Sequence, residues 1–414
     1  MPPVTVAGLG GHPGVPWLAN TVTYDVARTG RPVLANRLAG LGTTIFAEMS
    51  ALALATGAVN LGQGFPDTDG PTEVTEGAVA AIRGGHNQYP PGPGSLELRS
   101  AIAAHQLRFY GLDIDPVHGV LVTAGATEAI AAAMLSLVEP GDEVVALEPY
   151  YDSYAATIAM AGGVRVPVTL RPPDFAVDVS ALRLAVTPRT RMLLVNSPHN
   201  PTGAVLRRTE LAAIAELAVE RDLIVVTDEV YEHMALDDEH LPLATFPGMA
   251  DRTLSISSAG KTFSVTGWKV GWASGPLELV RAAATAKQFL SFAGGAPFQP
   301  GVVAGLELPD TYFEALRADL RSKRDFLCDG LAAAGFEVFR PRGTYFVTTD
   351  VRSLGYDDGV TFCRELPERA GVVAIPCSVF YDDPEAGWSL VRFTFCKQQA
   401  VLAEGVERLT RSFA

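Results

Sequence analysis

The chain has 414 residues, 48% of them apolar and 19% charged, and carries a formal net charge of −14. That length exceeds what one hydrophobic core organises, so two domains are expected, and the composition excludes a globally disordered chain. The negative charge favours solubility and argues against a general nucleic-acid binder, while leaving room for a local basic rim around a small anion.

Taken from the N-terminus, residues 1–58 begin with Gly, Pro and short polar pieces and read as an arm followed by a helix over Glu48–Thr56, which Gly57 can end. The first residues, Met1 to Gly14, lack a charged-then-apolar leader, and no later run approaches the ~18 uninterrupted apolar residues of a membrane span. From Val59 to about residue 300, short β-branched runs alternate with Ala- and Leu-rich amphipathic runs. Val120–Thr123 precedes a helix over Glu128–Val138, Glu143–Leu147 and Met192–Asn196 are further strands, and a helix over Leu211–Val219 leads to strand Leu223–Thr227. Leu254–Ser257 then enters a lysine-bearing segment. This rhythm predicts a large α/β domain on a mainly parallel sheet flanked by helices. Residues 301–414 change character: a long helix over Tyr312–Ala334, a strand over Gly343–Thr348, a helix near Val360–Glu368, a strand near Leu390–Phe395 and a terminal helix. They predict a smaller α+β domain, completed by part of the N-terminal segment. Cys328, Cys363, Cys377 and Cys396 show no paired metal-ligand spacing and fit packing roles in a reduced, cytoplasmic protein. The seven histidines make no convincing metal set, and no metal is expected; His199 can shape the turn around Asn200.

The chemistry-bearing residues recur just after strands, where open α/β sheets bind ligands beyond their carboxyl ends. Thr123-Ala-Gly125-Ala126-Thr127 puts small residues at a strand-to-helix junction, whose free N–H groups can hold a phosphate; ordinary helix starts look the same. In Tyr150-Tyr151, Tyr151 suits stacking on a flat ring and Tyr150 packing beneath it, although paired aromatics are also common in cores. Asn196-Ser-Pro-His-Asn200-Pro-Thr-Gly203 is a strand end and a rigid polar turn. Its Asn200 can donate to a cofactor phenolate oxygen, or simply sit in a surface turn. Asp228 ends the Leu223 strand, where it either caps the next element or pairs with a protonated pyridine nitrogen. Tyr231, three residues on, can turn its hydroxyl to the same ring. Lys261, within Ser258-Ala-Gly-Lys261-Thr-Phe-Ser-Val-Thr-Gly-Trp-Lys269, offers an amine for a Schiff base beside a polar nest. There Ser258 is a phosphate ligand or a helix cap, and Lys269 a compensating cation or a solvated side chain. Arg392, a charge inside the apolar run Leu390–Phe395, either forks onto a substrate carboxylate or faces water from an edge strand. Together these residues read as an enzyme that carries pyridoxal phosphate.

The ordered set Asn200-Pro-Thr-Gly203, Asp228-Glu-Val-Tyr231, Ser258-x-x-Lys261 through Lys269, and Val391-Arg-Phe393 resembles the class I/II, fold-type I aminotransferases over about Arg31–Arg411. Leu61-Gly-Gln-Gly-Phe-Pro-Asp67 and Asn87-Gln-Tyr89 are similar to the kynurenine/glutamine and methionine aminotransferase group. The stretches Thr44–Ala53, Asn87–Gly94 and Gly294–Pro300 are more similar to actinobacterial N-succinyldiaminopimelate aminotransferases. The resemblance implies Lys261 as Schiff-base lysine, Asp228 on the pyridine nitrogen, and Asn200 and Tyr231 near the 3'-oxygen. It further implies a homodimer in which Tyr89 reaches the neighbouring subunit's phosphate, and Gly64 beside the substrate carboxylate with Asn200 and Arg392. The implied reaction is amino transfer between an amino acid and a 2-oxo acid, on N-succinyl-L,L-2,6-diaminopimelate with 2-oxoglutarate. The alternative is a kynurenine, glutamine or methionine substrate, with β-elimination from cysteine conjugates as a side activity. Arg28, Arg31, Arg37 or the Gln63 amide are candidates to read a distal carboxylate; Phe46, Phe65, Tyr89 and Phe298 serve an apolar pocket equally well. A cofactor-binding module without turnover is disfavoured by the complete set Lys261, Asp228, Asn200 and Arg392.

Overall fold

A computed structural model describes residues 35–38 and 45–414. Thirteen strands lie along the described chain: β1 (Val59–Asn60), β2 (Val120–Thr123), β3 (Glu143–Glu148), β4 (Val164–Thr169), β5 (Thr190–Asn196), β6 (Ile224–Asp228), β7 (Thr253–Ser258), β8 (Gly271–Ser274), β9 (Glu337–Phe339), β10 (Phe346–Asp350), β11 (Val372–Val373), β12 (Ile375–Pro376) and β13 (Leu390–Thr394).

Seven of them build the main sheet, in the order β2-β8-β7-β6-β5-β3-β4. Neighbours from β7 through β4 are parallel, whereas β8 runs antiparallel to both β7 and β2. The central strands are buried along almost their whole length, as near-continuous Val, Ile and Leu runs covered on both faces must be. Strand β4 lies at an edge, which is why it tolerates Pro167, a residue with no N–H for a further strand. Helices Gly125–Leu137, Asp152–Ala161 and Leu277–Leu290 close one face through Ile130, Met134, Ile158 and Val280. The other face packs against the helix Arg208–Glu220 through Leu211, Ile214 and Leu217.

The topology matters for function because β5, β6 and β7 are adjacent, β5 and β6 end level, and β7 runs two residues further. Asn196 pairs with Asp228, and Asp228 with Ile256. The turns that follow therefore open side by side at one edge of the sheet, as open α/β sheets place their ligand crevices.

The C-terminal body is a four-stranded antiparallel sheet, β12-β13-β10-β9, covered by helices Asp310–Ala333, Gly359–Ala370 and Gln399–Phe413. Residues from the N-terminal side join it. Helix Ile45–Thr56, ended by Gly57 at φ +65°, leads into β1, which pairs parallel with β11. The strand expected over Gly343–Thr348 instead starts at Phe346: Gly343 makes an isolated bridge to Ala235, and Thr344 sits at φ +61°, a left-handed conformation that interrupts an extended run. Among the described residues no helix is long and apolar enough to cross a membrane.

Candidate active site

A cavity of about 170 Å³ opens where β5, β6 and β7 end, walled by Asn200, Asp228, Tyr231, Ser258 and Lys261. Lys261 projects from the short helix Ala259–Thr262 directly after β7. Its amine lies 5.7 Å from the Tyr231 ring centroid and 5.8 Å from that of Tyr345. Burial lowers its pKa from 10.5 to about 8, against an opposing pull from the Cys396 thiol and Asp228. A neutral fraction of roughly a tenth at pH 7, where an ordinary lysine has almost none, favours a nucleophilic or basic lysine.

Asp228 closes β6 and is buried. One carboxylate oxygen accepts the Tyr154 hydroxyl at 2.5 Å and the other the Val230 N–H at 3.3 Å, so the cap reading holds in part while the carboxylate still lines the cavity. Burial raises its pKa, offset by Tyr154, the Val230 N–H and Lys261. A cation docked on this oxygen pair would be stabilised strongly in so dry a setting. Tyr154 is a residue of the cavity wall that sequence reading missed. Its signal was the spacing Tyr151-x-x-Tyr154, one helical turn that brings both rings to the same wall, 6.0 Å apart.

The Asn200 turn is tied down from within. The Asn196 amide donates to Asp228 O at 2.7 Å, and its oxygen accepts the Asn200 N–H at 2.8 Å. His199 is buried, bonds Thr202 at 2.8 Å and is held neutral, its pKa lowered to about 3 by burial. Asn200 Oδ1 accepts from Arg392 Nη1 at 3.0 Å, which leaves the amide NH₂ as the donor on the cavity side. Arg392, on β13, is 1% exposed and stacks over Phe346 at 4.0 Å, with Phe46 and Phe380 nearby. It is no edge-strand arginine facing water. Its second terminal nitrogen donates to Gly62 O, while Nε has no partner among the described residues. A buried guanidinium without a carboxylate is an anion site in waiting.

At the other end of the cavity, Gly125 holds φ +74° at the start of helix Gly125–Leu137, and a Cβ there would lie 3.0 Å from Lys269 Nζ. A Cβ on Gly271 would meet Gly125 C and Ala126 N at 2.6 and 2.7 Å. These are positions where only glycine lets the backbone close into a cup. The first N–H groups of the helix, including those of Ala126 and Thr127, lack intrahelical partners. The Ser258 hydroxyl, at a helix N-cap, makes no capping bond. Lys269, itself exposed, adds a cation. Small anions of phosphate size suit this cup. Tyr151 forms the side wall.

The remaining candidates lie around this cavity or apart from it. Tyr150 does not lie beneath the ring position; its hydroxyl bonds Asp382, and Arg165 covers its face at 5.3 Å. The Gln63 amide donates to Phe46 O and Ser50 Oγ, so it fastens the helix Ile45–Thr56 rather than facing a substrate. Gly64 lies outside the cavity wall, its carbonyl accepting the Tyr345 hydroxyl at 2.7 Å, and it is Gly62 that contacts Arg392. A Cβ on Gly64 would lie 2.4 Å from the Phe346 ring, so the close approach there is real. Arg37 is exposed on the turn Asn36–Leu38, and Arg28 and Arg31 lie outside the described residues. Tyr89 is 82% exposed, away from the cavity, edge-on to Phe292 at 5.6 Å. Unanticipated from their 128-residue separation, His105 and His233 share a buried 2.7 Å hydrogen bond, with Glu232 alongside. Desolvation lowers both imidazole pKa values, that of His105 to about 4, so the pair is neutral.

The sequence family described as aminotransferase class I and II matches residues 56–409. The chain belongs to that family. It is 59% identical over 387 residues to a probable N-succinyldiaminopimelate aminotransferase of Mycobacterium tuberculosis, covering 91% of this chain and 97% of that one. The solved structure of the N-succinyldiaminopimelate aminotransferase from the same species superposes with a TM-score of 0.90, covering 91% of this chain and 99% of the other. A methionine aminotransferase of Escherichia coli is 39% identical over 90% of this chain and 97% of its own. Its structure gives a TM-score of 0.88, covering 92% and 100%. A kynurenine–oxoglutarate transaminase of Dictyostelium discoideum is 36% identical over 95% of this chain and 99% of its own. Fold-type I aminotransferases depend on pyridoxal phosphate, and this member of the family is a pyridoxal-phosphate-dependent transaminase acting on amino and 2-oxo acids. The residues fit the group: an amine, a buried carboxylate and a glycine-built anion cup line one cavity.

Proposed function

We propose that the chain is an N-succinyldiaminopimelate aminotransferase, exchanging the amino group of N-succinyl-L,L-2,6-diaminopimelate with 2-oxoglutarate to give N-succinyl-2-amino-6-oxopimelate and glutamate. The observation that carries this reading is the 59% identity to the mycobacterial protein over nearly the whole of both chains. The product feeds lysine and diaminopimelate synthesis in the cytoplasm, a setting in keeping with four buried free cysteines.

In this reading the cup of Gly125, Ala126, Thr127, Ser258 and Lys269 holds the cofactor phosphate, and Tyr151 stacks on the ring. Asn200 and Tyr231 donate to the 3'-oxygen. When bound, pyridoxal phosphate supplies a carbonyl carbon to receive the amino group and a cationic ring to take up the electron pair released at Cα. Asp228 keeps the ring nitrogen protonated, with Tyr154 holding the carboxylate in register. Lys261 would hold the cofactor through its amine and, once freed by the amino donor, would serve as the base that receives the Cα proton and the acid that returns it. Arg392 forks onto the substrate α-carboxylate beside Asn200 and the Gly64 loop, fixing the Cα–H bond where Lys261 reaches it. The enzyme is a homodimer in which Tyr89 reaches the neighbouring subunit's phosphate. Residues 59–300 hold the cofactor; 301–414, with part of 1–58, bring Arg392.

The test is a single-turnover reaction of the loaded enzyme with N-succinyl-L,L-diaminopimelate, glutamate, kynurenine, glutamine and methionine in turn. Absorbance reports conversion to the aminated cofactor, and each product is identified. Fast conversion confined to glutamate and the succinylated substrate is expected. Conversion by kynurenine, glutamine or methionine with none by the succinylated compound would instead place the enzyme with the broad-specificity relatives. Pyruvate and ammonia from a cysteine conjugate would reveal β-elimination.

A further inference from the structure

Lys287, near the end of helix Leu277–Leu290, is 3% exposed, yet both of its hydrogen-bond partners are neutral carbonyls. Its ammonium donates to Gly92 O and to Phe292 O, at 2.6 Å each. Burial disfavours its charge and the Glu128 carboxylate only partly offsets that, so an ammonium hydrogen-bonded to backbone carbonyls alone is an expensive way to hold two loops together. The two carbonyls belong to the two loops whose tips carry Tyr89 and Phe292. A second link spans the same loops: Gln299 accepts the Ser95 N–H at 2.8 Å and donates to Gly294 O at 2.8 Å. Below the tip, the first loop is fixed against the sheet, since Pro93 O accepts the Val122 N–H at 2.9 Å and a Cβ on Gly94 would collide with Val122 at 2.3 Å. The base is thus rigid while the tip, Tyr89 edge-on to Phe292, stands in solvent.

We propose that Lys287 is a positioning residue for Tyr89: by locking the 87–95 loop to the 291–295 loop from beneath, it aims the Tyr89 hydroxyl at the phosphate held in the neighbouring subunit's cup. This rests on the homodimer reading above. Lys287 touches no cofactor itself. It acts by restricting the approach of a residue that the single chain leaves on an exposed loop tip, so that the ordering cost is met before the phosphate arrives.

The experiment is a double-mutant cycle on the full-length protein, stripped of cofactor and titrated with pyridoxal phosphate by absorbance, using Tyr89→Phe, Lys287→Met and the pair. Light scattering reports the dimer and circular dichroism the fold. Loss of one hydrogen bond to a charged group predicts that each single variant weakens cofactor binding about tenfold. The pair is no worse than either alone, the dimer mass is unchanged, and Lys287→Arg, which keeps two donors, recovers most of the loss. Losses that multiply in the pair, or full affinity in Lys287→Met, would overturn the role of Lys287 while leaving the Tyr89 reading intact. Full affinity in Tyr89→Phe would sink the cross-subunit reading and this proposal with it. A monomeric Lys287→Met would make the lysine an interface support and not a positioning residue, which also overturns it. Should Lys287→Met not fold, Gln299→Met, which cuts the second link between the same loops, takes its place in the cycle with the same outcomes.

Discussion

In the proposed mechanism Lys261 must be neutral both to attack a carbonyl and to take a proton from carbon. With its pKa lowered to about 8 by burial, the neutral fraction passes one half near pH 8 and is nearly complete about one to two pH units higher, whereas an unperturbed lysine would still be gaining near 10.5. The rate at which stripped protein takes up pyridoxal phosphate, followed by stopped-flow absorbance, should climb through a midpoint at pH ~8 and level by about pH 9. A rate still climbing at pH 10 would mean that burial does not tune this amine. Replacing Lys261 with Ala should lower turnover by roughly a thousandfold or more, the scale of a lost general base. Tyr154 gives a finer test. Its hydroxyl is a buried donor to Asp228, and its removal raises the carboxyl pKa further, weakening the hold on a protonated ring nitrogen. Tyr154→Phe should fold normally and lose about tenfold in kcat, equivalent to about 1.4 kcal/mol, with little change in KM. An unchanged kcat would remove Tyr154 from the machinery.

What the local sequence made legible follows the elements. Asn200, Asp228 and Lys261 could be read because each follows an apolar strand within a few residues, and the parallel order β5-β6-β7 then brings them together. The cup was legible for the same reason, as a run of small residues after β2. Contacts made across long stretches of chain were not: Tyr154 with Asp228, His105 with His233 and Glu148 with the Asp382 N–H meet only because helices and sheets pack, and no local spacing encodes that. Helix Leu277–Leu290 and the antiparallel direction of β8 also went unread, since a four-residue apolar strand carries no sign of its orientation. The cup's dependence on its helix start can be tested at Gly125. An alanine there must adopt φ +74° and crowd Lys269. Gly125→Ala should cost about 1–2 kcal/mol in urea unfolding of the cofactor-free protein and weaken pyridoxal phosphate binding at least tenfold. Unchanged binding would show that the cup tolerates a side chain and that the glycine serves the fold alone.

At the scale of the molecule, the cavity around Lys261 belongs to the seven-stranded sheet and Arg392 to the C-terminal sheet, so in the proposed mechanism their relative placement decides whether a substrate carboxylate and Lys261 can be engaged together. One polar cluster spans the two bodies beside that seam. Arg165 on β4 donates from Nε to Asp382 at 2.8 and 3.0 Å, the Tyr150 hydroxyl bonds the same carboxylate, and Glu148 on β3 accepts the Asp382 N–H at 2.8 Å. The Tyr150 N–H donates to Phe380 O at 2.9 Å, and Phe380 in turn lies against the Arg392 guanidinium. The cluster therefore sets Arg392 through one intervening ring without touching the reacting atoms. Asp382→Ala removes the shared acceptor and leaves Arg165 and Tyr150 partnerless at a half-buried seam, which should cost about 1–3 kcal/mol of stability. If the cluster acts by placing Arg392, the same variant should raise KM for 2-oxoglutarate several-fold while kcat at saturation stays within about twofold, because carboxylate binding is weakened equally in the ground and transition states. A fall in kcat with KM unchanged would mean that the seam supports the chemical step itself, through the large-domain strands that carry Asp228 and Lys261.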